Sequence, residues 1–526
     1  MRLRASYRQP EADRYRRPGG AWDVPPLDRL LAGRHRPSDT AVVDGSRRLT
    51  GADLEGAVGA VAGGLSALGV RRRDVVAWQL PNWWESVVLF RACWRLGAVA
   101  APLHHQVGAR EVGRMVDALG PAVTLASPGA PLAEQSGAIP VRGGPSGGFE
   151  ELLGAPARAP DGGRGADLAV VLFTSGSTGD PKAVLHSARG LAYKARSMVA
   201  AHGLGEGDVA LMPSPLAHVS GLLNSVLVPA TAGMPVVLME KWDPELGVRL
   251  AAEHRVTFMI GPPTLFLGML EVGGVAERVP TLRVVSCGGT GVTPEFVDRA
   301  RQGLGAMVKR TYGSTEAPTV TTSTADDPPE RARETDGRSV GECRVRVVDP
   351  ATDRPRRPGE PGEVLLRGPE LFVGYGDDDQ TRAAVRRGWF ATGDLGVLDE
   401  AGWLTIVGRL KDVIIRSGEN IATAEVEQVL EAHPRVRQAV AVGCPDERVG
   451  ERVAAVVVAD KGLDVDECRR WFAERGVARF KTPELVVHVD AIPLLGIGKP
   501  DRAALREVVA EAAAGARATR EPVGGA

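Results

Sequence analysis

The chain has 526 residues, 44% hydrophobic and 25% charged, proportions of a globular protein large enough for more than one domain. Its 64 basic residues meet 65 acidic ones, a formal net charge of −1, which argues against a nucleic-acid partner. No apolar run approaches the roughly 18 residues of a membrane-spanning helix, so no transmembrane segment is expected.

In chain order, the start carries six arginines by Arg17, interrupted by Glu11 and Asp13 and followed by no apolar stretch. It reads as a solvated arm rather than a targeting leader. Leu54, Val58, Val61, Leu65 and Leu68 then recur at helical spacing up to Gly69, and residues 75–78 read as a strand. Trp84, Val87, Val88, Phe90 and Leu96 mark a second helix, and 98–100 a second strand. Residues 126–166 are rich in Gly, Pro and Ala and predict an irregular surface excursion. Strands are expected again at 169–173, 209–212, 236–239, 257–260 and 284–287. This alternation predicts largely parallel sheets with helices on their faces.

From about 341 to 415 short β-like runs alternate with turn clusters, a smaller β subdomain. Beyond Ile421 helix and strand alternate again, with strands at 436–442, 453–458 and 485–489. That portion is long enough for a separate small α+β domain. The Ala-rich end, 503–526, is expected to fray. The five cysteines (Cys93, Cys287, Cys343, Cys444, Cys468) form no C-x-x-C pair. They read as free thiols in a reducing compartment, which makes the expected location cytoplasmic.

Only eight residues are lysine, against 56 arginines. Where Arg serves as the default cation, a retained Lys points to chemistry that needs a compact ammonium. Lys182, Lys411, Lys481 and Lys499 fall inside distinctive segments; Lys194, Lys241, Lys309 and Lys461 read as ordinary surface residues.

The strongest local signal is Phe173-Thr174-Ser175-Gly176-Ser177-Thr178-Gly179-Asp180-Pro181-Lys182, entered directly from an apolar strand. Gly176 and Gly179 let the backbone turn tightly. The hydroxyls of Ser175, Ser177 and Thr178, the free N–H groups and Lys182 suit phosphate oxygens. Gly and Lys are not adjacent, so this is not a Walker A loop.

This segment resembles the phosphate loop of the acyl-adenylate-forming superfamily, which contains acyl- and aryl-CoA synthetases, carrier-protein adenylation domains and luciferases. Other segments resemble the family's motifs in its order: Pro213-Ser214-Pro215-Leu216-Ala217-His218, Gly288-Gly289-Thr290, Tyr312-Gly313-Ser314-Thr315-Glu316, Gly388 to Asp394, Gly408-Arg409-Leu410-Lys411-Asp412 and Gly498-Lys499-Pro500-Asp501-Arg502. The resemblance runs from about 35 to about 510. Gln79-Leu80-Pro81-Asn82-Trp83-Trp84-Glu85 further resembles synthetases of the cyclohexanecarboxylate–CoA ligase type.

The resemblance implies an α/β fold: a large multi-subdomain N-terminal adenylation domain (1–410), with parallel-rich sheets and a small β subdomain, and a small mobile α+β C-terminal domain (411–526) hinged at Lys411. It implies ATP, Mg²⁺ and CoA as cofactors and an AMP-forming acid–thiol ligation. Thr174 to Gly179 and Lys182 would hold phosphates, Gly288, Gly289 and Thr290 the adenine side, and Tyr312 and Gly313 the adenine itself. Thr315 would meet the α-phosphate, Glu316 the metal, Asp394 the ribose hydroxyls, and Arg409 ribose or phosphate. Lys499 would bridge carboxylate and α-phosphate, and Gly418 would give the pantetheine arm room. His218, Val219, Gly221 and Asn224 would line the acyl pocket, and His218 would also act catalytically by orienting the acid carboxylate near the forming carbonyl.

Between Ala217 and Val228 no carboxylate occurs. An amino-acid substrate would leave a buried ammonium unpaired there, so an apolar organic or fatty acid is expected. The acceptor is CoA or, alternatively, a carrier-protein phosphopantetheine thiol. Intact Lys499, Glu316 and Asp394 argue against a catalytically silent binding protein. The sequence leaves the oligomeric state open.

Overall fold

The computed structural model describes residues 3–135, 137–142, 148–159, 164–165, 167–174, 181–289, 291–416, 419–446, 448–459, 463–495 and 499–518. They form four sheets. The first has six strands, with Val75–Gln79 and Val99–Leu103 at its centre. It is parallel until its last strand, Lys182–Ser187, pairs antiparallel with Leu168–Thr174. The second has nine strands. Six of these run parallel in the spatial order Met307–Tyr312, Val284–Gly288, Phe258–Gly261, Ala210–Met212, Val236–Leu238, Thr40–Asp44.

Between these sheets lies the helix Trp84–Leu96, buried along its whole length. A helix covered on all sides needs apolar residues all round or paired charges. Here Trp84, Val87, Val88, Leu89 and Phe90 supply the first, while buried Arg91 and Arg95 both pair with Glu55. Its neighbour Gly51–Ala67 starts at a capping box: the Thr50 hydroxyl accepts the Asp53 N–H, and the Asp53 carboxylate accepts the Thr50 N–H.

The β subdomain is antiparallel, with Trp389–Leu398 between Pro361–Arg367 and Leu404–Arg409. Register sets Asp394 directly opposite Arg409. The C-terminal portion packs Val413–Arg416, Gly450–Ala459 and Val436–Asp446 into an antiparallel sheet, and Leu485–His488 joins it in parallel.

Three expectations change. The N-terminal arm is folded onto the protein: Tyr15 and Trp22 are buried edge to face, and the Trp22 indole N–H donates to Pro369 O. Aromatic burial outweighs the arginines around it, which stack on those rings. Within 126–166, Leu132, Val141, Phe149 and Leu152 are buried, and Phe149–Leu153 is helical. At the C-terminus, Arg502–Ala518 is helical, anchored by buried Leu505 and Val509. The five cysteines are buried and free. Among the described residues no helix is long and apolar enough to cross a membrane.

Candidate active site

Strands of the parallel sheet and of the antiparallel β subdomain together deliver the site. Tyr312 closes Met307–Tyr312, and its hydroxyl donates to Asp394 Oδ2 at 2.7 Å, while Asp394 Oδ1 meets Arg409 Nε at 2.9 Å. The buried Asp394 carboxylate is thus held from two sides. Burial of Tyr312 itself, and then the Asp394 charge, push its phenol far above its ordinary range, so Tyr312 remains a donor. After Tyr312 the chain turns sharply. A Cβ at Gly313 would lie 2.3 Å from Thr319 N, and Thr319 itself has φ +37°. Only glycine fits at 313, and the strained turn after it is clamped from outside.

The clamps are buried. His186, held neutral by burial that lowers it to about 4, donates Nε2–H to Thr315 O at 2.7 Å. Lys194 donates to Thr319 O at 2.8 Å and pairs with Glu370 at 3.3 Å, both side chains fully buried. The Phe372 N–H donates to Glu316 O, and the Tyr375 hydroxyl donates to Glu316 Oε1 at 2.7 Å. Lys182 lies 5.7 Å from the Tyr375 ring centre. In the strand pair it stands opposite Thr174.

Lys499 approaches this cluster from the C-terminal portion. Its Cε lies 3.6 Å from where a Cβ on Gly289 would sit; Gly289 has φ +85°, and Gly288 is pressed against Thr311 O. Burial, then the Arg409 charge, lower Lys499 to about 8, while Asp394 and Glu316 oppose that shift. The ammonium therefore shares a field with Arg409, Asp394 and Glu316.

On the acyl side, His218 precedes the short helix Val219–Gly221 and a π-helical turn, Leu222–Leu227. Such turns widen a helix and are frequent at functional sites. Gly221 packs so tightly on Pro215 that a Cβ would lie 2.0 Å from its carbonyl oxygen. Buried Asn224 donates to Ser220 O at 2.9 Å, and its Oδ1 has no partner among the described residues. Val219 is half-buried. Burial, then His104 and Lys499, push His218 down to about 3.

Lys411 is exposed in the turn Leu410–Asp412, followed by the hairpin Val413–Arg416 and Glu419–Ala422. Ser175, Gly176, Ser177, Thr178, Gly179, Thr290 and Gly418 lie outside the described residues.

The structure thus gathers Tyr312, Asp394, Arg409, Glu316, Gly289 and Lys499, with His218 within reach of the Lys499 charge. Sequence reasoning missed His186, Tyr375 and Lys194. Lys194 and Lys309 are the plain corrections: neither is a surface residue. Lys309 is buried and donates to Ala201 O and Ser323 O. Their signal was the rarity of lysine itself, because a compact ammonium reaches backbone carbonyls that a guanidinium fork cannot fit.

A single carboxylate beside an expected phosphate position would suit Mg²⁺, which takes few protein ligands and keeps phosphate oxygens and waters. Glu316 fits that need, and no cluster of three or more His, Cys, Asp or Glu among the described residues suggests a protein-only metal cage.

Residues 31–376 match the family model described as AMP-binding enzyme, and 425–499 the AMP-binding enzyme C-terminal domain. The chain is 33% identical to the medium-chain fatty-acid–CoA ligase of Escherichia coli (strain K12), across 90% of this chain and 88% of that one. It is also 33% identical to the indoleacetate–CoA ligase of Aromatoleum aromaticum, across 90% and 96%. ATP-bound MatB from Rhodopseudomonas palustris superposes with a TM-score of 0.85 at 28% identity, covering 92% of this chain and 98% of that one. The chain belongs to the AMP-binding enzyme family, as an AMP-forming acid–CoA ligase that works with ATP, Mg²⁺ and CoA.

Proposed function

We propose that this enzyme activates an organic or fatty acid with a largely apolar body, and that the residues gathered above divide the work as follows. Asp394, aligned by Tyr312 and Arg409, accepts the ribose hydroxyls. Thr315 meets the α-phosphate, and Glu316, oriented by Tyr375, holds Mg²⁺. When bound, the metal neutralises phosphate charge. Lys499 stabilises charge where the acid carboxylate attacks the α-phosphate. The new bond is carboxylate O–P, the broken one P–O to pyrophosphate, and positioning with charge neutralisation supplies the catalysis. The CoA thiol then attacks the acyl carbonyl, its proton goes to solvent, and AMP leaves.

The observation that carries this reading is Lys499 seated against Gly289 while sharing the field of Glu316, Asp394 and Arg409. The absence of any carboxylate from 217–228 supports an acid without an ammonium. The names of the relatives, a medium-chain fatty-acid and an indoleacetate ligase, accord with that class. We further propose a division near Lys411, with the C-terminal portion rotating there between half-reactions. The five buried free thiols support a cytoplasmic location.

The test is a panel of fatty, aryl, amino and dicarboxylic acids assayed for AMP formation with CoA and without any carrier protein. CoA-dependent turnover of monocarboxylic acids is expected; preference for an amino or dicarboxylic acid would overturn the pocket reading.

A further inference from the structure

The acyl side of the site contains a second imidazole that the ligation chemistry does not use. His104 lies on the loop after the strand Val99–Leu103, and its ring is 4.9 Å from that of His218, centre to centre. The His105 ring stacks on it at 4.6 Å. The two loops that bring His104 and His218 together are held by one short segment. Gln79 Nε2 donates to His104 O and Val107 O, both at 3.1 Å. Asn82 Nδ2 donates to Pro213 O and Ser214 O, and Asn82 Oδ1 accepts the Leu216 N–H. Both amides are buried, so Gln79-Leu80-Pro81-Asn82 fixes the spacing of the two rings.

The proton on His104 can be located. Its Nδ1 accepts the Gln106 backbone N–H at 3.2 Å, so that nitrogen carries no hydrogen. Burial and the neighbouring His105 lower the ring to about 4, which keeps it neutral near pH 7. A neutral imidazole with a bare Nδ1 carries its proton on Nε2. That Nε2–H is buried and has no acceptor among the described residues. A buried donor left unmatched is costly, and a site built around one discriminates between ligands that meet it and ligands that do not.

The acid's carboxylate is poorly placed to be that acceptor. The His104 ring lies beside that of His218, 4.9 Å centre to centre, and His218 is the imidazole that feels the Lys499 charge. With the carboxylate held at Lys499 and His218, as the proposed function has it, His104 would meet a later part of the acid. We infer that His104 is a substrate-contacting residue that selects acids whose apolar body carries one hydrogen-bond-accepting oxygen, such as an oxo, ether or hydroxyl group. This rests on the reading of 217–228 as the acyl pocket.

The test compares matched acids with the full-length enzyme: octanoate against mono-oxo-octanoates, and 3-phenylpropanoate against its ring-methoxy and ring-hydroxy derivatives. The methoxy group separates accepting from donating. At least one oxygen-bearing acid should exceed its parent in kcat/KM for AMP formation by about ten- to a hundredfold. His104→Phe, which keeps the ring and removes its nitrogens, should abolish that excess while turning over the parent acid within about threefold. His104→Asn, which keeps a donor and an acceptor for Gln106, should preserve part of the preference; its complete loss in a folded Asn variant overturns the inference. So does preference for the unsubstituted parents, or a preference that survives His104→Phe. Acid-dependent AMP formation by none of the panel would overturn the proposed function, and this inference with it.

Discussion

The two halves of the nucleotide site are built differently. On the N-terminal side, Tyr312, Asp394 and Arg409 are bonded to one another, and the turn carrying Thr315 and Glu316 is held by His186, Lys194, Phe372 and Tyr375. On the C-terminal side, Lys499 enters on a loop closed by the Leu495 N–H to its carbonyl, with Leu494 and Leu495 exposed beside it. Ile415, on the hairpin after Lys411, is also exposed. One half is bonded together within the N-terminal portion; the other is a single cation carried by the C-terminal portion, which we propose withdraws between half-reactions. Electrostatic preorganisation needs fixed dipoles, whereas admitting a thiol after the adenylate forms needs something that withdraws. Division of the site between a rigid cradle and a cation that withdraws, as proposed above, would meet both needs.

The sharpest way to break that contrast is to remove the cation. Lys499→Ala should cut acyl-AMP formation by about 10²–10³ or more, yet transfer preformed acyl-AMP to CoA at near the parental rate. Single-turnover measurement of each half-reaction decides this, and equal damage to both would make Lys499 structural. Next in size, Lys411→Pro fixes φ and removes an N–H in the exposed turn Leu410–Asp412. Adenylation should survive within a few-fold and CoA transfer should fall by about tenfold or more. Parental CoA transfer in that variant would place the pivot elsewhere.

A smaller effect tests the cradle. Tyr375→Phe removes the hydroxyl that donates to Glu316 Oε1. A hydrogen bond to a charged group is worth about 1.5–3 kcal/mol; for a part-buried pair the low end applies, so the Mg²⁺ concentration for half-maximal adenylation should rise about tenfold. Octanoate activation at saturating Mg²⁺ should recover most of the rate. An unchanged Mg²⁺ requirement would mean that Tyr375 does not orient Glu316.

Much of the cradle was legible because its residues sit at strand ends beside glycines. Tyr312-Gly313 follows an apolar strand, and Gly313 admits no side chain. Asp394 and Arg409 announced themselves by motif; their cross-strand register could not be known before the sheet was. The clamps were illegible for a physical reason. His186 and Lys194 act on backbone carbonyls at Thr315 and Thr319, over one hundred positions away, and a bond to a carbonyl leaves no pattern in residue type. The arm 3–26 was misread because its charge is conspicuous in sequence, whereas the few aromatics that anchor it, Tyr7, Tyr15 and Trp22, are not. Gln79 and Asn82 were visible as a subfamily cue, but their work of spacing two loops became clear only in three dimensions.

The smallest expected effect lies at the junction of the two halves. Glu431, at the end of the helix Thr423–Glu431, accepts the Ala439 N–H, and Thr293 and Arg299, at the start of and within the helix Pro294–Leu304, act on its ionisation. Burial, then the neighbouring Glu427, raise it from 4.5 to about 7; the Ala439 N–H, Thr293 and Arg299 oppose this. Glu427 itself is paired with Arg502 at 2.7 Å. If withdrawal of the C-terminal portion returns Glu431 to water, its pKa falls back toward the ordinary carboxylate value. The docked arrangement then binds the extra proton, so its advantage is fully present below about pH 4.5, declines as pH rises through about 7, and is absent above. Between about pH 6 and 7.5, adenylation should fall a few-fold relative to CoA transfer. Glu431→Gln, which mimics the protonated side chain, should remove that slope. Comparison of the two proteins at each pH cancels thiol ionisation of CoA, which affects both alike. If the ratio of half-reactions has the same pH slope in parent and variant, Glu431 does not report docking, and the delivered half of the site is held by other contacts.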